Sequence, residues 1–293
     1  MKILRAEHMG MCFGVRDAIA LAKKQSEPGG VTVLGELAHN RDVVDDLSRR
    51  GVRFEGRVED VETKDVMITA HGAAEREIMR IRALGLNVIE ATCPLVRHAH
   101  DSVKRLAAEG FHPVIVGKRD HVEVKGLTGD LDVFDVVLTK EDVAVLKPHE
   151  KIGVAAQTTQ PLVKVEALVA EIRKRFPESE VRFVDTVCGP TKQRQVAAAE
   201  IAREADAVVV IGGANSNNTR ELVAVCSRHC DRVHHVQAAG DLREAWFEGV
   251  ELVGVTAGTS TPDNTIAQVE ARLAAMNEKR HEMSAMAAPM GVM

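Results

Sequence analysis

Tyrosine is absent from this chain of 293 residues, tryptophan occurs once and phenylalanine seven times. So few flat side chains leave no stacking platform for nucleotide bases. Positive charge is not in excess either: 38 Lys and Arg face 43 Asp and Glu, a formal charge of −5. A protein held to nucleic acid by phosphate contacts needs the opposite balance, so no nucleic-acid partner is expected. No apolar run reaches the ~18 to 20 residues of a membrane span. The start, MKILRAEHMG, lacks an apolar core and a small-residue cleavage site, so a cytoplasmic protein without a membrane partner is expected. Neither G-x-G-x-x-G nor a P-loop occurs, which argues against a directly bound nucleotide cofactor. Zinc ribbons use local C-x-x-C pairs, and these are missing too. What is present is five cysteines. An odd number in a chain of cytosolic character points away from a disulfide framework and toward metal binding or catalysis.

At about 150 residues per domain, the length suggests roughly two domains. The pattern along the chain changes that count. VTVLGE (31–36), DVMITA (65–70), NVIEAT (87–92), HPVIVG (112–117), KIGVAA (151–156), VRFVDT (181–186), DAVVVIG (206–212) and ELVGVTA (251–257) read as buried strands. Amphipathic stretches such as RDVVDDLSRR, REIMRIRALG, PLVKVEALVAEIRKRF and TKQRQVAAAEIAREA separate them, so βαβ units and mainly parallel sheet are predicted. The strand ends repeat in kind: two polar loops, then a cysteine loop. The third repeat lacks its cysteine, while the chain opens on an orphan, ILRAEHMGMC. The expectation is therefore a pseudo-threefold trefoil of three small parallel-sheet α/β units around one centre. Residues 1–13 would complete the third unit and carry Cys12. The units would span 14–93, 94–189 and 190–278, and 279–293, rich in Met and Ala, would be a disordered tail. Two ordinary doubly wound domains are the alternative.

Ligands of parallel α/β sheets bind beyond the carboxyl ends of the strands. Cys12, Cys93 and Cys188 sit there, each before a turn of the chain. Three thiolates from distant loops suit a 4Fe-4S cluster better than structural zinc. A cubane normally has four thiolate ligands, so three leave one iron open as a Lewis acid beside the electron source. The alternative is three buried thiols that only pack. Cys226 and Cys230, with His229, His234 and His235 nearby, offer a zinc-like pattern. They also continue an apolar helical face with Val223, and packing is the favoured reading.

The polar loops carry His39, His71 and His121, then Thr158 and Thr159, then Ser216, Asn217, Asn218 and Ser260. Neutral donors with titratable imidazoles suit a phosphate or diphosphate, whose charge favours protonated histidine. His8, His98, His100, His112 and His149 read as ordinary surface or core residues. Glu123, two residues after His121, is the candidate proton donor, because burial tunes such a carboxyl toward neutrality.

C12-F-G-V, H39-N-R-D-V-V-D-D-L, A-H71-G, A-T-C93-P-L-V, H121-V-E123-V-K-G, Q157-T158-T159, D-T-V-C188, N-S216-N-N218 and G-V-T-A-G-T-S260-T-P-D occur in one order. In that order the sequence resembles the 4-hydroxy-3-methylbut-2-enyl diphosphate reductases, the IspH/LytB family of iron–sulfur oxidoreductases, from Cys12 to about residue 275. The resemblance implies reductive removal of an allylic hydroxyl, giving isopentenyl and dimethylallyl diphosphate at the end of the non-mevalonate (MEP) pathway. It implies a 4Fe-4S cluster on Cys12, Cys93 and Cys188, with electrons from a ferredoxin or flavodoxin, in a monomer or homodimer. It places the diphosphate on His39, His71, His121, Ser216, Asn218 and Ser260, with Thr158 and Glu123 near the leaving hydroxyl. Asp120, Val122, Asn217 and Gly189-Pro190 depart from the family's usual residues, which touches loop shape rather than the reaction. Asn217 stands where the family has serine and still donates a hydrogen bond. Two other readings stay open: a three-cysteine cluster enzyme resembling quinolinate synthase, and a non-enzymatic iron–sulfur redox sensor.

Overall fold

The structure, a computed structural model, describes residues 1–26, 30–38 and 40–287, the last nine of these by backbone alone. Its strands form three parallel sheets of four, not two larger ones. Residues Met1–Met11 with Gln193–Met293 fall in one compact unit, and Cys12–Lys192 in another.

The unit Cys12–Lys192 holds two of the sheets. With β1 assigned to Lys2–Arg5, the first sheet contains β2 (Val31–Leu34), β3 (Arg53–Glu55), β4 (Asp65–Ile68) and β5 (Asn87–Glu90), in the order β3-β2-β4-β5. Helices α1 (Phe13–Gln25), α2 (Arg41–Arg49) and α3 (Glu75–Ala83) alternate with them, and α4 (Pro94–Ala108) follows β5. The second sheet contains β6 (His112–Val116), β7 (Asp135–Val137), β8 (Lys151–Ala156) and β9 (Glu180–Phe183), in the order β7-β6-β8-β9. Its helices are α5 (Val122–Thr128), α6 (Lys140–Ala144) and α7 (Leu162–Arg175), with α8 (Gly189–Glu204) after β9. Successive residues of β6 point to opposite faces, and both faces are covered. Val114 and Val116 pack with Val165, Leu168 and Ile172 of α7, while Ile115 packs with Ala99 and Val103 of α4 and Val124 of α5. Burial on both sides explains why the central strands read as unbroken apolar runs.

The other unit repeats the plan. Strands β10 (Ala207–Ile211), β11 (Val233–Val236), β12 (Leu252–Ala257) and β1 lie in the order β11-β10-β12-β1. Helix α9 (Asn217–Cys226) and helix α8 cover one face, and α10 (Asp263–Ala287) covers the other. The N-terminal strand thus takes the fourth place, with Lys2 opposite Leu252 and Arg5 opposite Val255. Each sheet has the strand order second, first, third, fourth, so the repeat read from the loops returns as topology.

Two features depart from the sequence reading. Strands β3, β7 and β11 were not expected; each is an edge strand of three or four residues, where one side is solvated and the apolar pattern is thin. Helix α10 runs through Ala287, into the stretch from 279 expected to be disordered. Ala, Met, Glu, Lys and Arg are good helix formers and carry a helix onward without turn chemistry. Residues 288–293 lie outside the described residues.

Within the Cys12–Lys192 unit one carboxylate joins the two repeats. Ala74, the N-cap of α3, has no side-chain cap; Asp130 supplies it, accepting from Glu75 N and Arg76 N at 2.9 Å each, with Lys104 Nζ 3.3 Å away. Burial raises the Asp130 carboxyl, but these amides and the Lys104 ammonium outweigh it and hold the group below its ordinary value. Asp130→Ala is expected to cost roughly 1 to 2 kcal/mol in denaturant unfolding. A depressed acid stabilises above its unfolded pKa, about 3.9, and that part is lost as pH falls through the lower folded value. The wild-type advantage over the variant should therefore shrink below about pH 4.

Candidate active site

In the Cys12–Lys192 unit the three proposed ligand cysteines share a local design. Cys12 is the N-cap of α1, Cys93 is the N-cap of α4 with Pro94 at the first helical position, and Cys188 immediately precedes α8. A helix N-terminus stabilises a thiolate through its unpaired amides and dipole. Burial opposes this and pushes both the Cys93 and Cys188 thiols up. Cys12 and Glu123 bear electrostatically on each of these two thiols, so all four groups share one neighbourhood. Gly14 permits the close approach: a Cβ there would lie 2.6 Å from Cys93 Sγ. All three are free thiols, half-buried, and chemically suited to holding soft metal.

Glu123 is connected to this centre through Thr158. Its Oε1 accepts from Thr158 N at 2.6 Å, and the carbonyl of Thr158 accepts from Cys188 N at 3.0 Å. The Thr158 hydroxyl also hydrogen-bonds the carboxylate. Glu123 is 1% exposed, and burial drives its pKa up to about 7 against those hydrogen bonds. Because Oε1 receives an N–H, the proton of the neutral acid belongs on Oε2.

His121 caps α5: its Nδ1 accepts from Glu123 N at 3.1 Å. An amide can only donate, so this nitrogen is unprotonated and the ring carries its proton on Nε2. Protonating Nδ1 would forfeit the cap. His71 lies beside it, ring centroids 5.7 Å apart and nearly perpendicular, with its Nδ1 3.3 Å from Thr69 Oγ1. His39 lies outside the described residues.

In the other unit the remaining polar residues gather at the starts of α9 and α10. Ser216 caps α9 by accepting from Thr219 N, and Asn218 Oδ1 accepts from Thr259 N at 3.0 Å. Asn217 is buried beside them. Among the described residues, Asn218 Nδ2 and Ser260 Oγ are buried with no hydrogen-bond partner. Each has hydrogen-bonding capacity that a ligand or a water can take up. Cys226 and Cys230 lie apart from this group and pack with Ala198, Ile201 and Val208. Cys226 Sγ donates to the Ala198 carbonyl at 3.7 Å, and burial holds its thiol near 12.

Several contributors had no role assigned from sequence. Thr191 Oγ1 contacts Cys188 Sγ at 3.1 Å. Gln157, fully buried, accepts from Lys118 N at 3.1 Å and ties the loop after β8 to the loop after β6. His100 wedges against Gly72 and Gly126, where added Cβ atoms would sit 3.0 and 3.2 Å from its ring. Thr191 and Gln157 are near recognisable motifs, but the contacts themselves leave no sequence signal.

A family model described as LytB protein matches residues 3–274. The 4-hydroxy-3-methylbut-2-enyl diphosphate reductase of Pelobacter propionicus is 39% identical over 282 residues, covering 95% of this chain and 100% of that protein. The reductase of the same name from Aquifex aeolicus is 38% identical, covering 92% and 95%. A solved structure of (E)-4-hydroxy-3-methyl-but-2-enyl diphosphate reductase, described as the terminal enzyme of the non-mevalonate pathway, superposes with TM-score 0.67 at 38% identity, over 94% of this chain and 100% of that one. The corresponding Plasmodium falciparum reductase gives TM-score 0.86 at 25% identity, over 93% and 87%. On fold, motif order and full-length similarity, the chain belongs to the LytB family.

Proposed function

We propose that this chain is a cytoplasmic reductase that removes the allylic hydroxyl of (E)-4-hydroxy-3-methylbut-2-enyl diphosphate, releasing water and giving isopentenyl and dimethylallyl diphosphate. The observation that carries this reading is the continuous link Cys188–Thr158–Glu123–His121, which joins a buried neutral acid to the cysteine centre. Three free, half-buried thiols at helix N-termini fit an iron–sulfur group. A 4Fe-4S cluster on Cys12, Cys93 and Cys188 would supply the electrons and an open, Lewis-acidic iron. A ferredoxin or flavodoxin is the electron donor in this reading.

The reaction consumes two electrons and two protons. Glu123 Oε2 holds the proton that leaves with the hydroxyl as water, and the Thr158 hydroxyl steadies the carboxyl as its charge develops. His121 Nε2–H and His71 are donors to the diphosphate, as is His39. In the other unit, Asn218 Nδ2 and Ser260 Oγ have unused hydrogen-bonding capacity that suits an anion, and Ser216 and Asn217 lie beside them in sequence or fold. Fixing the diphosphate orients the far end of the substrate toward the acid.

Anaerobic purification with iron and sulfide counts, followed by single-turnover reduction of the allylic diphosphate, tests this. The expected result is about four irons per chain and substrate loss only with reductant present. Cluster without reductant-dependent substrate loss would leave a redox sensor as the better account.

A further inference from the structure

A second group of ligating side chains lies on the second sheet of the Cys12–Lys192 unit, at the end opposite the cysteine loops. His112 opens β6, Asp135 opens β7 beside it, and His149 stands two residues before β8 on the other side. His112 Nε2 meets Asp135 Oδ2 at 2.8 Å. The His149 ring stacks on that of His112, centroids 3.7 Å apart and planes 4° apart. The ligating atoms of all three lie within 4.8 Å of one another. Sequence gave no reason to join them, and the reaction above uses none of them.

We propose that His112, Asp135 and His149 form a binding site for a divalent transition-metal ion, with zinc as the reference case and water completing the coordination. Two imidazoles and one carboxylate are the donor set of open zinc and ferrous sites, whereas calcium and magnesium prefer oxygen alone. Ligand bonds of about 2.0 to 2.2 Å around a tetrahedral ion put donor atoms roughly 3.3 to 3.6 Å apart. The 2.8 Å pair has only to open slightly, with Asp135 already aligned on the proximal imidazole.

The stacked rings keep their lone pairs in parallel planes, so His149 has to turn about its side-chain torsions for both rings to face one ion. Its backbone is anchored, since its carbonyl accepts from Ser179 Oγ at 2.6 Å, and the residue is half-buried. A bound ion would clamp the starts of three neighbouring strands and stabilise the folded state by mass action.

The test uses anaerobically prepared, cluster-loaded enzyme, so that the cysteines are occupied. After equilibration with micromolar zinc and gel filtration, metal analysis should find one zinc per chain beyond the cluster iron. The melting temperature should rise with zinc. His149→Phe preserves a ring that stacks on His112 but removes the ligand, and Asp135→Asn removes the charge. Both should weaken zinc binding about tenfold or more and abolish the thermal shift, with iron content and turnover unchanged. Absence of zinc uptake by the wild type overturns the proposal. So does equal uptake by both variants, which would locate the ion elsewhere.

Discussion

Glu123→Gln is expected to lower kcat by about 10²- to 10⁴-fold while leaving iron content and fold intact. Glutamine offers the same Oε1 acceptor to Thr158 N, so the link to the Cys188 loop survives. What it lacks is an acidic proton. The pH profile separates this from a structural effect. Glu123 acts as its neutral form, and burial places its pKa at about 7, so wild-type kcat should fall as pH rises above that value. The variant should lose that alkaline limb along with its rate. Stability has a matching sign. An acid raised from 4.5 to about 7 favours the folded state most below its unfolded pKa, and that contribution is lost as pH rises between those values. The variant, having nothing to ionise, should show a flatter stability profile across the same window. Full turnover by Glu123→Gln with the cluster in place would remove Glu123 from the mechanism.

Replacing Cys188 by serine should be costlier still. The hydroxyl retains hydrogen-bonding reach to Thr191 Oγ1, now 3.1 Å from the sulfur, so the loop has little reason to rearrange. An alcohol is far too weak an acid to ionise as the thiol does when it binds soft metal, even at a helix N-terminus. Iron content should drop and turnover should fall by roughly 10³-fold or more, since several kcal/mol of barrier lowering goes with the metal. Circular dichroism should be nearly unchanged. An active, fully loaded Cys188→Ser enzyme would contradict the assignment of this residue as a ligand.

Which parts of the molecule were readable from sequence follows from where the physics leaves a periodic trace. The buried central strands, β10 (AVVVI) above all, are unbroken apolar runs because helices cover both their faces. The edge strands RFE, DVV and VHHV are too short and too mixed to stand out. Cysteine placement was legible because a rare residue fell repeatedly at strand ends. The state of His121 was not, because it depends on one amide, that of Glu123, pointing back at Nδ1. The orphan donors of Asn218 and Ser260 are likewise a property of packing, invisible until the neighbouring loops are in place.

The pairing of β1 with β12 bears on how the chain is made. Lys2 finds its partner, Leu252, only after all the chain between them has left the ribosome. Residues 2–5 emerge long before β12 and wait with their edge groups unpaired, while the Cys12–Lys192 unit can collapse as soon as it is synthesised. The entropy of closing so long a loop grows only logarithmically, so the finished sheet loses little stability by it. The rate suffers instead, because distant parallel pairing is slow. Refolding experiments should therefore show two phases, with β1 docking in the slower one, and N-terminal extensions that shield residues 2–5 should lengthen it.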